Sequence, residues 1–183
     1  MDAKTLAEQG KQEYAKGAFG VAADLFSQAA QAYGSVQDEL NAAEMKNNQS
    51  VALLKAGKAE DALRATDGTE AIFQKAGDQK RQGIAIANRA AALEALKKYN
   101  EAMEAYNRAA VIFEEIGEGD MHSVVRKATA EIFLKRGYIS NTQMDVFDSL
   151  RLVEKPTLTQ RFLKFLMRLG WGPRSVKKDW RGW

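Results

Sequence analysis

The chain has 183 residues, of which 45% are hydrophobic and 28% charged, with only two prolines and no cysteine. This composition is typical of a globular protein with one well-buried domain, and it excludes disulfide bonds and thiolate metal sites. No apolar run approaches the roughly 18 residues of a membrane-spanning helix, and the first residues lack the apolar region of a secretory signal. We therefore expect a soluble cytoplasmic protein.

Charge is divided unevenly along the chain. Residues 1–154 hold 19 basic and 23 acidic side chains, a net charge of −4, whereas residues 155–183 hold 8 basic side chains and one acidic, a net charge of +7. Such asymmetry indicates an anionic partner for the basic segment. The alternative is a basic segment that offsets an acidic body and keeps the chain in solution.

A short sequence pattern recurs every 40 residues. Aligned positions share a turn, a small residue and two mostly aromatic positions: Gly17-Ala18-Phe19, Gly57-Lys58-Ala59, Lys97-Lys98-Tyr99 and Gly137-Tyr138-Ile139; Ala22, Ala62 and Ala102; Phe26, Thr66 and Tyr106; Tyr33, Phe73 and Phe113. Self-similarity at a fixed period of this length predicts a solenoid of stacked helix pairs.

In chain order the pattern predicts four helix pairs, here called repeats 1 to 4, at 3–37, 38–77, 78–117 and 118–154. The first helices are expected at about 3–16, 38–56, 78–97 and 120–136, and the second helices at about 18–33, 59–76, 99–117 and 141–154. Glycine is favoured where a first helix ends, because it accepts the left-handed conformation. Lys97 replaces glycine in repeat 3, which predicts a strained turn.

The residues of the pattern resemble tetratricopeptide repeats over about residues 3–140. The resemblance is clearest for Gly10, Gly17-Ala18-Phe19, Ala22, Phe26 and Ala29, and for Lys97-Lys98-Tyr99-Asn100-Glu101-Ala102, Tyr106 and Ala109. The common unit has about 34 residues, and the longer unit is similar to a subfamily that includes vesicle-fusion adaptors of the SNAP kind and cell-polarity adaptors.

The resemblance implies an all-α fold, a right-handed α-α superhelix. It also implies that small residues allow the two helices of a repeat to cross closely, at Gly10, Ser50, Ala90 and Ala130. Thr66 and Thr69 depart from the family pattern in repeat 2. Thr142 stands where a small alanine belongs, so repeat 4 looks like a degraded terminal repeat.

No pattern in the chain predicts catalysis. The single histidine, His122, stands beside a predicted helix start, where a solvated or capping side chain is common. The chain has no Gly-rich phosphate loop, zinc-binding spacing or nucleophile elbow. The acidic cluster at 114–120 lacks the alternating ligands of a calcium loop. We expect a protein that is not an enzyme, with no catalytic residue, cofactor, metal or small-molecule substrate.

The resemblance also implies where a partner binds, because the family lines its concave groove with the first helix of each repeat. By that resemblance the groove includes Glu44 and Val51, and the partner-binding residues are Lys11, Tyr14, Asn47, Asn48, Lys55, Asn88 and Lys127. Asparagine amides one period apart, as at 48 and 88, can donate to and accept from a peptide backbone. The alternative is that each asparagine only bonds a neighbouring helix. Ala7 and Ile84 stand where a carboxylate clamp needs basic side chains, so we expect no C-terminal-carboxylate binder.

Beyond Pro156 the pattern predicts a cationic amphipathic helix at 157–169, followed by a segment that holds all three tryptophans. One face of the helix carries Leu158, Phe162, Phe165, Leu166 and Leu169, and a separate stripe carries Arg161, Lys164 and Arg168. The residues expected to dock this tail (155–183) are Arg161, Phe162, Lys164, Phe165, Arg168, Trp171, Arg174, Lys177, Lys178, Trp180 and Trp183.

Three interpretations of the tail remain open. The helix at 157–169 can cap the exposed apolar end of the solenoid. Basic residues beside phenylalanine, leucine and tryptophan also suit an anionic membrane surface. Tryptophan and arginine are, in addition, frequent anchors of protein interfaces. The cap alone does not explain residues 171–183, because three exposed tryptophans are a liability in solution.

We therefore expect a non-catalytic scaffold or adaptor. Its repeats would bind a protein or peptide, and its tail would dock onto a second protein or a membrane-associated complex, in the cytoplasm or peripherally on a membrane. One alternative is a regulator whose own tail occupies the groove. The other is a nucleic-acid-associated adaptor, which the acidic repeats disfavour.

Overall fold

Eight α-helices and short turns account for residues 2–135, the part of the chain that the computed structural model describes. They are α1 (Ala3–Ala15), α2 (Phe19–Ser35), α3 (Glu39–Lys55), α4 (Ala59–Ala65), α5 (Thr69–Lys75), α6 (Gln79–Ala95), α7 (Tyr99–Glu115) and α8 (Gly119–Lys135). These residues include no strand, so the all-α class is confirmed for them. The predicted helices at 141–154 and 157–169 lie outside the described residues, as does the predicted domain boundary after 154.

Neighbouring helices pack against each other, as expected for a stacked array of helix pairs. Helix α1 packs on α2, α2 on α3, and α3 on α4. Further along the chain, α5 packs on α6 and α6 on α7. The first helices of repeats 2 and 3, α3 and α6, also touch. Met1–Thr129 forms one compact unit, and Ala130–Trp183 forms a second, of which only the end of α8 is described.

Aspartates begin the first helix of repeats 1, 2 and 3. The carboxylates of Asp2, Asp38 and Asp78 accept hydrogen bonds from the backbone N–H three residues later, at 2.8, 3.1 and 2.9 Å. The first N–H groups of a helix have no partner within it, so the caps of Asp38 and Asp78 each stabilise their helix by about 1 kcal/mol. Asp38 and Asp78 are one period apart, so the caps belong to the repeat.

Left-handed turns end the first helices where the pattern predicts them. Gly17 and Gly57 have φ angles of 80° and 76°, and Lys97 has a φ of 60° at the same position of repeat 3. A residue with a Cβ is disfavoured in this conformation by about 1–2 kcal/mol. Lys97 thus adopts the left-handed conformation at the position where a strained turn was predicted. Gln37, between repeats 1 and 2, also has a φ of 60°.

Small residues lie where the two helices of a repeat cross. A Cβ added to Gly10 would lie 2.8 Å from Cε1 of Phe26, so the phenylalanine ring rests on the backbone of α1. Ser50 and Ala90, at the same position of repeats 2 and 3, are fully buried. The prediction of a buried small residue is confirmed at these three positions. Ala130 does not follow it, since its side chain is exposed in the described structure.

The second helix of repeat 2 is broken, so the prediction of one helix at 59–76 is wrong. Helices α4 and α5 are separated by a turn in which Gly68 is left-handed, with a φ of 77°. The Thr66 hydroxyl donates to the Leu63 carbonyl at 2.7 Å, and the Thr69 hydroxyl donates to the Thr66 carbonyl at 2.8 Å. Hydroxyls bonded to the nearby backbone compete with the helix, and glycine is a poor helix former.

The other helices of residues 2–135 begin and end within two residues of the predicted bounds, which is the usual uncertainty of helix ends. Within the same residues, none of the helices combines the length and the apolar character that crossing a membrane requires.

Candidate functional site

A cavity of about 360 Å³ lies between α1, α2 and α3. It is lined by Lys11 and Tyr14 from α1, Phe26 from α2, and Glu44, Asn48 and Val51 from α3. Three of these, Lys11, Tyr14 and Asn48, are among the predicted partner-binding residues. The volume is near the lower end of ligand sites, which span about 300–1,000 Å³, so the cavity suits one large side chain.

The floor of the cavity is apolar and rigidly held. Phe26 is 3% exposed, and its ring is fixed over Gly10. Tyr14 is half-buried and packs edge-on against Phe19, with ring centroids 5.2 Å apart. Val51 is half-buried on α3. All these side chains belong to packed helices rather than loops, so the floor is formed before any partner arrives.

The α3 side of the cavity is polar at its rim. Glu44 and Asn48 are one helical turn apart, on the same face as Val51. The Glu44 carboxylate accepts a hydrogen bond from Nη1 of Arg81 at 3.1 Å. The Nε of Arg81 donates to Oδ2 of Asp78 at 2.6 Å. A residue of repeat 3 therefore holds Glu44 at the edge of a cavity formed by repeats 1 and 2.

Arg81 serves two carboxylates at this rim. The pKa of Asp78 is lowered, first by the hydrogen bond from the Arg81 backbone N–H and also by its guanidinium. The pKa of Arg81 is raised, first by its side-chain hydrogen bond to Asp78 and also by Glu44. The guanidinium also lies 5.3 Å from the centroid of the Phe73 ring, within the range of a cation–π contact. With two carboxylates against one guanidinium, the rim keeps an excess negative charge.

The α1 side of the cavity is electrically balanced. Nζ of Lys11 lies 3.2 Å from Oε2 of Glu8, and the two side chains are 57% and 62% exposed. Such a surface ion pair contributes about 0–1 kcal/mol, so it holds Lys11 only loosely.

The other predicted groove residues lie elsewhere. Asn47 is only 4% exposed, and its Oδ1 has no hydrogen-bond partner among the described residues. Its side chain is therefore inside the protein rather than on a binding face. Lys55 and Lys127 are exposed and Asn88 is half-buried, and none of the three lines the cavity. The predicted tail-docking residues, 161–183, lie outside the described residues.

Three residues of the site were not singled out from the sequence. Phe26 was expected only as core, yet it is also the floor of the cavity. Arg81 donates a hydrogen bond to Glu44, 37 residues away in the sequence, and Asp78 accepts one from the same guanidinium. The available signal was the i, i+3 spacing of Asp78 and Arg81 at a helix start, which indicates a cap but not the contact with repeat 2.

A second cavity, of about 440 Å³, lies on the opposite side of α3. It is lined by Asp24, Lys46, Gln49, Leu53, Lys58, Asp61, Arg64 and Ala65. Its charged groups are mixed, and Arg64 is already paired with Asp61. It lacks the aromatic floor of the first cavity, so it offers no comparable anchor for a partner side chain.

The described residues contain no group of three or more His, Asp or Glu side chains that could hold a metal ion. His122 is half-buried on α8.

Comparison of the whole chain with protein-family models and with curated proteins gives no match.

Proposed function

We propose that the protein is a non-catalytic interaction scaffold of the tetratricopeptide kind, with its repeats stacked as a right-handed superhelix. In this proposal the cavity between α1 and α3 binds a segment of a partner protein. The observation that carries the proposal is that an apolar, pre-formed cavity coincides with three residues, Lys11, Tyr14 and Asn48, expected to bind a partner.

The chemistry of the cavity supports binding rather than catalysis. Its aromatic floor and polar rim are the usual composition of a recognition site. Asn48 can donate to and accept from the backbone of a bound segment. The charged lining residues, Lys11 and Glu44, are exposed or half-exposed, and each is paired with an opposite charge. Such pairing stabilises the ionised side chain, whereas a general base or nucleophile needs a partner that activates it.

The tail provides a second contact in this proposal. Its net charge of +7 and its three tryptophans favour docking onto a second protein or an anionic membrane surface. The protein would then work in the cytoplasm or at the surface of a membrane. Deleting residues 156–183 should abolish vesicle binding or capture of that second partner while leaving the helical circular dichroism largely intact. Equal recovery of all partners by both forms would contradict a docking tail.

Site-specific photo-crosslinking tests the cavity. A photo-reactive amino acid is placed at Val51 in the cavity, or at Val111, which is 53% exposed on α7. We expect a protein from native extract to be crosslinked at position 51 and not at 111, and the crosslink to disappear when Tyr14 is changed to alanine. Equal crosslinking at both positions, or crosslinking that is indifferent to Tyr14→Ala, would contradict a binding role for the cavity.

A further inference from the structure

We propose that the cavity between α1 and α3 selects a segment that carries one bulky apolar side chain and, about 10 Å away, one basic side chain. This inference rests on the proposed function, since it names the chemistry of the segment that the same cavity binds. It follows from the apolar floor, from the charges around Glu44, and from the spacing of residues on α3.

The apolar side chain is required by the floor. The Phe26 ring, Tyr14 and Val51 form the apolar floor of the cavity of about 360 Å³, and the two charged lining residues, Lys11 and Glu44, belong to its α1 and α3 sides. Burying apolar area there gains about 25 cal/mol per Å². A charged side chain placed on the same floor would lose its hydration without a partner. A leucine, methionine or phenylalanine therefore suits this position of the partner.

The basic side chain is required by the rim. Glu44 and Asp78 share the single guanidinium of Arg81, and Asp78 holds it at the shorter distance, 2.6 Å against 3.1 Å. The Glu44 side chain is still 41% exposed, so it can accept a second cation from solvent. Lys11 and Glu8 carry opposite charges 3.2 Å apart, so together they leave the excess negative charge near Glu44 unchanged. An acidic partner would instead place a third carboxylate beside Glu44 and Asp78.

The helix sets the distance between the two requirements. Val51 follows Glu44 by seven positions on one face of α3, and a helix rises about 1.5 Å per residue, which places them about 10 Å apart along its axis. An extended segment rises about 3.3 Å per residue, so it covers this distance in about three residues. Asn48, between Glu44 and Val51, is placed to bond the backbone of the segment between its two anchors.

Three matched synthetic peptides test the proposal on the full chain. The first carries a leucine and an arginine three residues apart in a blocked serine and glycine background. The second has glutamate for the arginine, and the third has alanine for the leucine. Dissociation constants are measured by NMR titration of the isotope-labelled protein. We expect the arginine peptide to bind about two- to fivefold more tightly than the glutamate peptide, as for a partly exposed ion pair, and the alanine peptide to bind most weakly.

Two variants assign the preference to Glu44. Glu44→Gln should remove the difference between the arginine and glutamate peptides, and Glu44→Lys should reverse it. Glu104→Gln, the same change at an exposed position of α7, should leave the difference unchanged. Thermal unfolding followed by circular dichroism checks that each variant folds.

The proposal is overturned if no peptide binds, if the glutamate peptide binds as tightly as the arginine peptide, or if the preference survives Glu44→Gln. Failure of this chemistry is distinct from failure of the proposed function. If a partner is crosslinked at position 51 but the peptides show no arginine preference, only the partner chemistry is contradicted. If crosslinking is equal at positions 51 and 111, the binding role of the cavity is contradicted.

Discussion

Repeats 1 and 2 share one register but place opposite chemistry at the crossing of their two helices. Repeat 1 has small apolar residues and one aromatic ring there, whereas repeat 2 has four polar residues: Ala7, Gly10, Phe26 and Ala29 against Asn47, Ser50, Thr66 and Thr69. All eight are buried. Helix α2 runs unbroken for 17 residues, whereas its counterpart is split into α4 and α5, of 7 residues each. A shared period therefore sets where helices lie, but not how each pair is held together.

The difference also determines where a partner side chain can be anchored. In repeat 1 the Phe26 ring both rests on Gly10 and forms the floor of the cavity. In repeat 2 the equivalent Thr66 has no ring, and its hydroxyl donates to the Leu63 carbonyl of α4, which ends just before it. The aromatic floor consequently lies between the first two repeats, and position 66 supplies none between the second and third.

Repeat 2 carries an energetic cost that repeat 1 avoids. Oδ1 of Asn47 and Oγ of Ser50 are buried without a hydrogen-bond partner among the described residues. Each such atom costs about 1–3 kcal/mol. Ion pairs between repeats 2 and 3 offset a part of this cost. Nη1 of Arg89 lies 3.0 Å from Oδ1 of Asp67, and the Arg108 guanidinium contacts the Glu70 carboxylate. These pairs are largely exposed, so their contribution is about 0–1 kcal/mol each.

The largest expected effect is at the aromatic position. Phe26→Ala should lower the free energy of unfolding by about 3–5 kcal/mol, because it leaves a cavity over Gly10. Thr66→Ala should lower it by only about 1 kcal/mol, since it removes one local hydrogen bond. Urea unfolding of the full chain, followed by circular dichroism, measures both. Similar losses for the two variants would mean that the repeats are held together in the same way.

A smaller effect is expected at the unpartnered asparagine. Asn47→Leu should raise the free energy of unfolding by about 1 kcal/mol, because it replaces a buried atom without a partner by an apolar group of similar size. Asn88→Leu, at a half-buried position of α6, should change it by less than about 0.5 kcal/mol. The comparison uses the same urea titration. A loss of stability in Asn47→Leu would show that the Asn47 amide is satisfied in solution.

The smallest effect is expected at the turn between α6 and α7, where repeat 3 has lysine and repeats 1 and 2 have glycine. Lys97→Gly should raise the free energy of unfolding by roughly 0.5–1 kcal/mol, because glycine adopts the left-handed conformation without the steric penalty that lysine has. Lys98→Gly, one residue later and outside that conformation, should not be stabilising. Thermal midpoints of the two variants measure the difference. Equal shifts would contradict strain at Lys97.

The period of the sequence was sufficient to predict most helices, because apolar spacing and glycine stops are local signals. It could not predict the break at Gly68, since the apolar face continues from Ala62 to Phe73 on both sides of the turn. The hydrogen bonds from the Thr66 and Thr69 hydroxyls to the nearby backbone compete with the helix. They leave the spacing of apolar residues unchanged, so the sequence pattern does not reveal them.

Part of the lining of the cavity could be anticipated from the sequence. Lys11, Tyr14 and Asn48 were expected in the groove from their positions in the repeat, and all three line the cavity. Asn47 is next to Asn48 in the sequence but is buried, because consecutive side chains of a helix point about 100° apart. The contact of Arg81 with Glu44 depends on how repeats 2 and 3 stack, which no local pattern encodes.

The most direct test of the account is the affinity of a purified partner, recovered by crosslinking at position 51, for three forms of the full chain. Isothermal titration calorimetry would compare the unmodified protein with two variants. Val51→Arg places a charge on the apolar floor of the cavity, and Val111→Arg is the same change on the exposed face of α7. The account predicts at least about a tenfold loss of affinity for Val51→Arg, equivalent to about 1.4 kcal/mol, and no change for Val111→Arg. Unchanged affinity for Val51→Arg in a folded protein would contradict the cavity as the binding site.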